Sequence, residues 1–347
     1  MLDFDEFKQH VADHIKDHLP EELADAKVSV NEVRKNNGML LHGLTIQTKD
    51  SNISPTIYLE SFYETYKDQG MEMEVVLEKL AQIEMEHATP DIGIVDVAKN
   101  FSDPDFIRSH VIMSLVNAEK NADLLKTVPH KMTEDLAIVY KVYLGSAGEQ
   151  IGTILITDKH MKQWDITPGE LHECAVKNSN ELMPVQVKGM SEIMREMMGE
   201  WAVDIAPEIG PNEMMYVITN EQKVNGAATL VYSDALEKLS EKLDSDLYIL
   251  PSSIHETIAV PCKPDMDVDD LTQMVREVNQ MQVAAEEQLS DNVYKYDAKT
   301  KTLSLADPSA MEQKISMVSE STGTYGAVSP VREENVNAEA ARPRHRR

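Results

Sequence analysis

Two cysteines, Cys174 and Cys262, are all that 347 residues contain, and they sit in unrelated contexts, so no disulfide framework is available. Aromatic residues make up only 5% of the chain, with five Phe and two Trp. With so few large rings, the 20 methionines are expected to fill core gaps. No apolar run approaches the roughly 20 residues that span a bilayer, so no membrane association is expected. The opening MLDFDEFKQHVADHI has neither the basic start nor the apolar stretch of a signal peptide, which points to a cytoplasmic chain.

Several motifs are missing as well. There is no G-x-x-x-x-G-K, no G-x-G-x-x-G after a strand, no C-x-x-C, no H-E-x-x-H and no EF-hand loop. The commonest sequence-visible nucleotide and metal sites are thereby excluded, and no cofactor is expected. Basic residues are scarce: 33 Lys and Arg stand against 60 Asp and Glu, a net charge of −27. Such a surface repels phosphate backbones, which argues against direct nucleic-acid binding. The charge has two readings, solvated faces of a soluble protein or an acidic mimic of nucleic acid. Mimicry needs continuous acidity, and lysines interrupt it, as in EKLSEKLDSD, which favours solvated faces.

What is present reads as α+β, antiparallel β-hairpins with flanking helices, in two units. Residues 3–19 carry Phe4, Phe7, Val11 and Ile15 at helical spacing, ended by Pro20. AKVSVNEVRK and GMLLHGLTIQT, joined by Asn36-Asn37-Gly38, form a hairpin. SNISPTIYLESFYETY reads as a short extended segment with Pro55 at an edge or entry, and MEMEVVLEKLAQIEMEH as a helix. These make a small N-terminal unit, residues 1–90.

A connection over 91–130 is read as helical. IGIVDVAKNF is helical or mixed, and a helix opened by Ser102-Asp103-Pro104 runs through FIRSHVIMSLVNAEKNADLLKT. The larger unit, 131–305, starts with the hairpin DLAIVYKVYLG and QIGTILIT, turning at Ser146 to Gly148. Helices DKHMKQW and LHECAVKNSNEL follow, the second opened by the capping box Thr167-Pro168-Gly169-Glu170. MSEIMREMMGEWAV offers a methionine stripe that suits either core or a protein partner, and IAPEIGPNE behind it suits a linker or lid.

Met214 to Pro261 is the densest ordered signal. It reads as strand MMYVITN, a turn at Asn225-Gly226, strand AATLVY, helix SDALEKLSEKL, strand LYILP, the connection SSIHE and strand TIAVP. GTILITDKHMKQW and AATLVYSDALEKL align without gaps, as a duplicated ββα unit would. DMDVDDLTQMVREVNQMQV is a helix with aspartates at the positive end of its dipole, and DNVYKYDAKTKTLSLA a closing hairpin. Residues 306–347 have the composition of a disordered tail with a basic end, RPRHRR.

The best place for chemistry is the connection between LYILP and TIAVP. Ser253, His255 and Glu256 are catalytic candidates there, and Asn225, Ser252 and Arg276 are candidates for binding a ligand. Ser253 and His255 share a face if the segment is extended. The competing reading is a hydrogen-bonded structural turn, since no G-x-S-x-G elbow is present. His10, His14 and His18 recur every four residues, a spacing that lets imidazoles share a metal, yet no fourth ligand is placed to complete a site. In His172-Glu173-Cys174 successive helical side chains diverge, which argues against a Cys–His pair.

KNNGMLLHGLTI, SNISPTIYLESFYETY, YVITN, VNGAA, DLYILPSSIHETIAVP, VREVNQMQV and LSDNVYKYD resemble the signature segments of an uncharacterised family, domain of unknown function 5688. The resemblance covers roughly residues 1–305. It implies a bacterial cytosolic protein, often encoded near mobile elements, and supplies no catalytic residue. ITDKHMKQWDITPGELHECAV is more weakly similar to YtpQ-type proteins. The sequence thus supports an accessory protein with a protein partner, or a hydrolase or small-ligand-binding protein using the Ser252–Glu256 loop. Oligomeric state is not legible.

Overall fold

The computed structural model describes residues 1–47, 56–87, 100–147, 150–198 and 214–307. Every described residue belongs to one compact unit, Met1–Asp307. IGIVDVAKNF up to its Lys99, Pro55, Gly148, IAPEIGPNE and the tail from Pro308 lie outside the described residues.

Three antiparallel sheets organise the described chain, which is an α+β protein built on hairpins. The first contains β1 (Lys27–Arg34), β2 (Leu40–Gln47) and β3 (Thr56–Tyr58) in that order. Asn37 and Gly38 turn the β1–β2 hairpin through positive φ, 58° and 69°, which is why Asn-Gly stands there. Helices α1 (Phe4–His14), α2 (Glu60–Asp68) and α3 (Met73–His87) belong with this sheet. Asp3 and Glu6 close a reciprocal capping box at the start of α1. Phe7, Val11, Ile15, Leu44, Ile46, Leu59, Val76 and Leu80 form the core here.

The second sheet is built on one long strand. β6 (Leu136–Ala147) pairs along one edge with β4 (Val111–Asn117). Its other edge is shared in succession by β5 (His130–Thr133) and β7 (Gln150–Leu155). Around it lie α4 (Pro104–His110), α5 (Ala122–Leu125), α6 (Asp158–Trp164) and α7 (Pro168–Leu182). Thr167 caps α7 by accepting the Glu170 N–H, with Pro168 in the first turn, as its sequence requires.

The third sheet has six strands, β8 (Val185–Gly189), β9 (Tyr216–Asn220), β10 (Leu247–Leu250), β11 (Thr257–Pro261), β12 (Tyr294–Asp297) and β13 (Thr302–Leu305), ordered 13-12-10-11-9-8. Its helices are α8 (Met190–Met198), α9 (Thr229–Tyr232), α10 (Ala235–Leu243) and α11 (Val268–Met281). One apolar core joins sheets two and three, from Ile107 and Leu115 through Trp164 and Leu171 to Ile249 and Tyr294. Among the described residues no helix is long and apolar enough to cross a membrane.

Three expectations are overturned. The helix opened by Pro104 stops at His110, and VIMSLVN is β4, every residue of it buried. A continuous apolar run fits a two-sided buried strand as well as a helix, and burial on both faces decides it. ESFYETYKD is α2, where Phe62, Tyr63 and Tyr66 fall on one helical face. AATLVY is not a strand: Gly226–Ala228 make a 3-10 turn that runs into α9. The ββα duplication therefore fails, because its first copy begins in β7 and its second in the 3-10 turn that leads into α9.

Glu84, on α3, is only 2% exposed, and its Oε2 has no hydrogen-bond partner among the described residues. Burial disfavours the charged form and pushes the carboxyl from 4.5 up to about 7. Below pH 4.5 both folded and unfolded chains hold this proton and the residue carries no penalty. Between 4.5 and 7 only the unfolded chain releases it, so stability falls as pH rises, by roughly 3 kcal/mol at the plateau. Glu84→Gln should flatten that decline, seen as a smaller difference in urea-unfolding free energy between pH 4.5 and pH 8 than in the wild type. An unchanged difference would show that Glu84 ionises freely.

Candidate functional site

β9 ends at Asn220, whose side chain closes the loop beyond it. Its Oδ1 accepts the Val224 N–H at 3.2 Å and its Nδ2 donates to the Val224 carbonyl at 2.9 Å. Lys223 and Asn225 then adopt positive φ, 55° and 54°, a conformation asparagine tolerates well. This folds Asn225 inward. Its N–H donates to His255 Nδ1 at 3.3 Å, and its Oδ1 accepts both Ser114 Oγ at 3.2 Å and Lys141 Nζ at 3.1 Å. Gly226 follows under close confinement. An added methyl would overlap Thr219 Oγ1 and the His255 carbonyl oxygen, and lie 2.8 Å from the Asn220 nitrogen.

The SSIHE connection packs against this loop, so Asn225 and His255, both candidates from the sequence, do meet. Thr219 Oγ1 donates to the His255 carbonyl at 2.8 Å, and the Ala227 N–H to the Ile254 carbonyl at 3.2 Å. Ser253 Oγ accepts the His255 N–H at 3.0 Å, and Ser253 bridges Gln288. The Ser252 carbonyl accepts the Leu289 N–H at 3.0 Å. Because His255 Nδ1 accepts from Asn225, its proton sits on Nε2, which lies 3.6 Å from Glu287 Oε1. Neither ring nitrogen of His255 is paired with Ser253 Oγ among the described hydrogen bonds; Ser253 Oγ instead meets the His255 backbone N–H. Glu256 is exposed, and Arg276 is exposed on α11 with no hydrogen bond to the loop among the described residues.

The three histidines of the ladder take separate partners. The His10 and His14 rings lie 4.4 Å apart, His14 faces Asp17 at 3.6 Å, and His18 turns to Glu74 at 3.7 Å. Among the described residues no group of three or more His, Cys, Asp or Glu is placed to hold a metal. The cysteines are quiet: burial raises the Cys174 thiol and pushes Cys262 up to about 11, far from the thiolate a nucleophile needs.

A cleft of about 400 Å³ opens where β5 and β6 face α7, α9, α10 and the β12–β13 hairpin. Ile138, Leu230, Leu236, Tyr296 and Leu303 give it an apolar floor, and Lys131, His172, Asp234, Glu237 and Lys301 a polar rim of both charges. Lys131 Nζ lies 3.4 Å from His172 Nε2, and Tyr140 Oη 3.0 Å from His172 Nδ1. An ammonium only donates, so Nε2 accepts, and Nδ1–H points at the tyrosine oxygen. Burial, helped by the Lys131 charge, lowers the His172 pKa and keeps the ring neutral, while burial pushes Tyr140 up to about 12. Lys301 is tied to Glu237, and Asp234 to Lys238, whereas Lys131 has no carboxylate among the described ion pairs. No local motif announces this cleft, because Lys131 and His172 stand 41 residues apart and on different elements.

The architecture defines an α+β protein of three antiparallel sheets, with a buried asparagine-centred junction and a separate half-open cleft. Residues 4–298 match the family described as Family of unknown function (DUF5688), and the chain belongs to that family. No curated protein and no solved structure matches the chain. The weaker likeness to YtpQ-type proteins gains no support from these comparisons.

The confinement of Gly226 makes a direct prediction. Gly226→Ala should lose at least about 2 kcal/mol of stability, since its neighbours are backbone atoms and a buried hydroxyl that cannot yield. Gly169→Ala, in the first turn of α7 with nothing within 4 Å, should be neutral or stabilising. Denaturant melts of the two variants, compared with the wild type, check both.

Proposed function

We propose that this chain is a binding protein for a small molecule with an apolar body and an anionic end, seated in the cleft over β5 and β6. One observation carries the reading: Lys131, unpaired with any carboxylate among the described residues, is held by a neutral His172 at the rim of an apolar-floored cleft of about 400 Å³. Clefts of that size and lining suit metabolite-sized ligands, with a few polar groups setting orientation. The acidic composition and the absence of a basic face in the sequence favour a cytoplasmic protein that does not hold nucleic acid directly. Short- and medium-chain carboxylic acids should raise the melting temperature of the full chain, and the matching alcohols should not. At 100 times Kd the gain corresponds to about 2.7 kcal/mol. Lys131→Met should abolish the shift while leaving the unliganded melt close to that of the wild type. A shift that survives in Lys131→Met would place the ligand elsewhere.

A second reading, a protein partner, is favoured by α8. Met194 is 50% and Met197 82% exposed there, side chains that water does not favour. Affinity capture with the wild type and with Met194→Ser/Met197→Ser should differ by a specific, stoichiometric band. Identical captures would end that reading.

A further inference from the structure

Helix α11 carries more apolar surface than the third sheet covers. At about 100° per residue, its apolar side chains spread over roughly 140° of the helix, from Val268 to Met281. One edge of that arc faces the sheet, where Val275 is buried with Leu250, Val260 and Val293. The other edge is bare: Met274 is 45%, Val278 36% and Met281 72% exposed. Steps of four and then three residues set these side chains in one line, about 10 Å long. Apolar residues exposed singly are ordinary, but three in register along one helix form a continuous strip.

The border of the strip is acidic. Asp270 and Glu277, seven residues apart, run in a second line beside Met274 and Met281. Both are exposed, and neither has a cation among the described ion pairs, whereas Asp123 and Asp234 carry Lys126 and Lys238 from their own helices. Glu277 accepts only from a neutral neighbour, Gln273 Nε2, at 2.9 Å. Arg276 is the one basic residue of α11 and stands about 160° round from Val278, on the far side from the strip. The approach to the helix is acidic as well. An open furrow of about 550 Å³ at its start is lined by Asp265, Asp267 and Asp269, beside Pro264 and Met266.

We infer that this face of α11 docks an amphipathic helix of a partner protein, one whose apolar line is bordered by lysine or arginine. A line of side chains at helical spacing is a ridge that fits the groove of a second helix. Methionine suits it, since an unbranched thioether adapts to the side chains it meets. Charge selects the occupant. A second copy of this chain brings the same acidic border and the same net charge of −27, so like charges would face each other across a two-fold contact. A basic border instead gives Asp270 and Glu277 the cations that the fold withholds. No residue of α11 lines the cleft over β5 and β6, so the two surfaces are separate.

Peptide binding to the full chain tests the inference. The probe is a fluorescein-labelled peptide, LKKLLKLLKKLLKL, whose leucines share one face when it is helical. The alternating peptide LKLKLKLKLKLKLK is as basic but lacks that face. Anisotropy titrations are made at physiological salt, where charges are screened beyond about 8 Å. The helical peptide should bind with a Kd below about 100 μM, and the alternating peptide at least about tenfold more weakly. Met274→Ser/Val278→Ser/Met281→Ser should weaken the helical peptide at least about tenfold, because its leucines lose their apolar seat. Asp270→Asn/Glu277→Gln should weaken it about threefold and flatten its salt dependence. Met85→Ser, at an exposed methionine of α3, should change nothing. The altered side chains are all exposed, and a melting curve confirms that each variant folds. Binding that survives in the triple variant, or that the alternating peptide matches, overturns the docking face, as does a helical peptide that binds no tighter than about 100 μM. Full affinity in Asp270→Asn/Glu277→Gln overturns the basic partner. A dimer in analytical ultracentrifugation that the triple variant splits would give the face to a second copy and overturn it too.

Discussion

Asn225 is the constraint on which the centre of this molecule depends. In a left-handed conformation it delivers its N–H to His255, in the connection between β10 and β11, and its amide oxygen to Ser114 and Lys141, on β4 and β6. One residue, through its backbone N–H and its side-chain oxygen, thereby ties the third sheet to the second. The backbone must be tight for this to hold, and Gly226 makes it so by leaving room for Thr219, Asn220 and the His255 carbonyl where a side chain would be. The same device recurs nearby. Asn37 fastens the first hairpin to the segment around Gln288, Asn117 Nδ2 reaches the Leu289 carbonyl at 3.0 Å, and Asn279 Nδ2 reaches the Ser290 carbonyl at 3.0 Å. Neutral amides donate and accept at once, and they avoid the desolvation that a buried ion pair must overcome.

Asp135 is the exception that uses charge. Between β5 and β6, it accepts from Ser290 Oγ at 2.7 Å, from Asn292 Nδ2 at 2.8 Å and from the Tyr294 hydroxyl. The carboxylate is surrounded by donors, so no lysine is needed there. Tyr294, nearly all buried, keeps its proton far above the usual phenol range, since burial and the adjacent Asp135 charge both oppose its release. Besides their shared apolar core, the second and third sheets are thus tied by amides at Asn225 and Asn117 and by a hydrogen-bonded carboxylate at Asp135.

Much of the fold was legible where local signals agreed with each other. Thr167, Pro168 and Glu170 announced α7, and Asn37-Gly38 announced the first hairpin, because capping and turn chemistry are decided within four residues. Legibility failed where tertiary packing decided. VIMSLVN carries no period, so only the presence of sheet on one side and helix on the other makes it a strand. AATLVY has the composition of a strand, yet the confinement at Gly226 and the buried Ala227 and Ala228 coil it into a turn and a short helix. The site divides in the same way. The Asn225 turn and the SSIHE connection could be picked out as loops with chemistry. Lys141 could not, since its partner Asn225 is 84 residues away and a lysine in a strand looks like a solvent-facing residue. For His172 the local sequence offers only Cys174 as a partner, and neighbours on a helix diverge. Its actual partners come from β5 and β6, beyond the view of any local argument.

β6 gives the two regions a common wall. Tyr140 and Lys141 are joined by a single peptide unit, one side chain reaching His172 at the cleft and the next reaching Asn225 at the junction. That unit is pinned in place, as the Tyr140 carbonyl accepts the Ile156 N–H at 2.9 Å just past the end of β7. A rigid strand transmits displacement across its own thickness far more directly than along a chain of side chains. The cleft and the junction therefore share one strand as a common wall, with adjacent residues of it facing each.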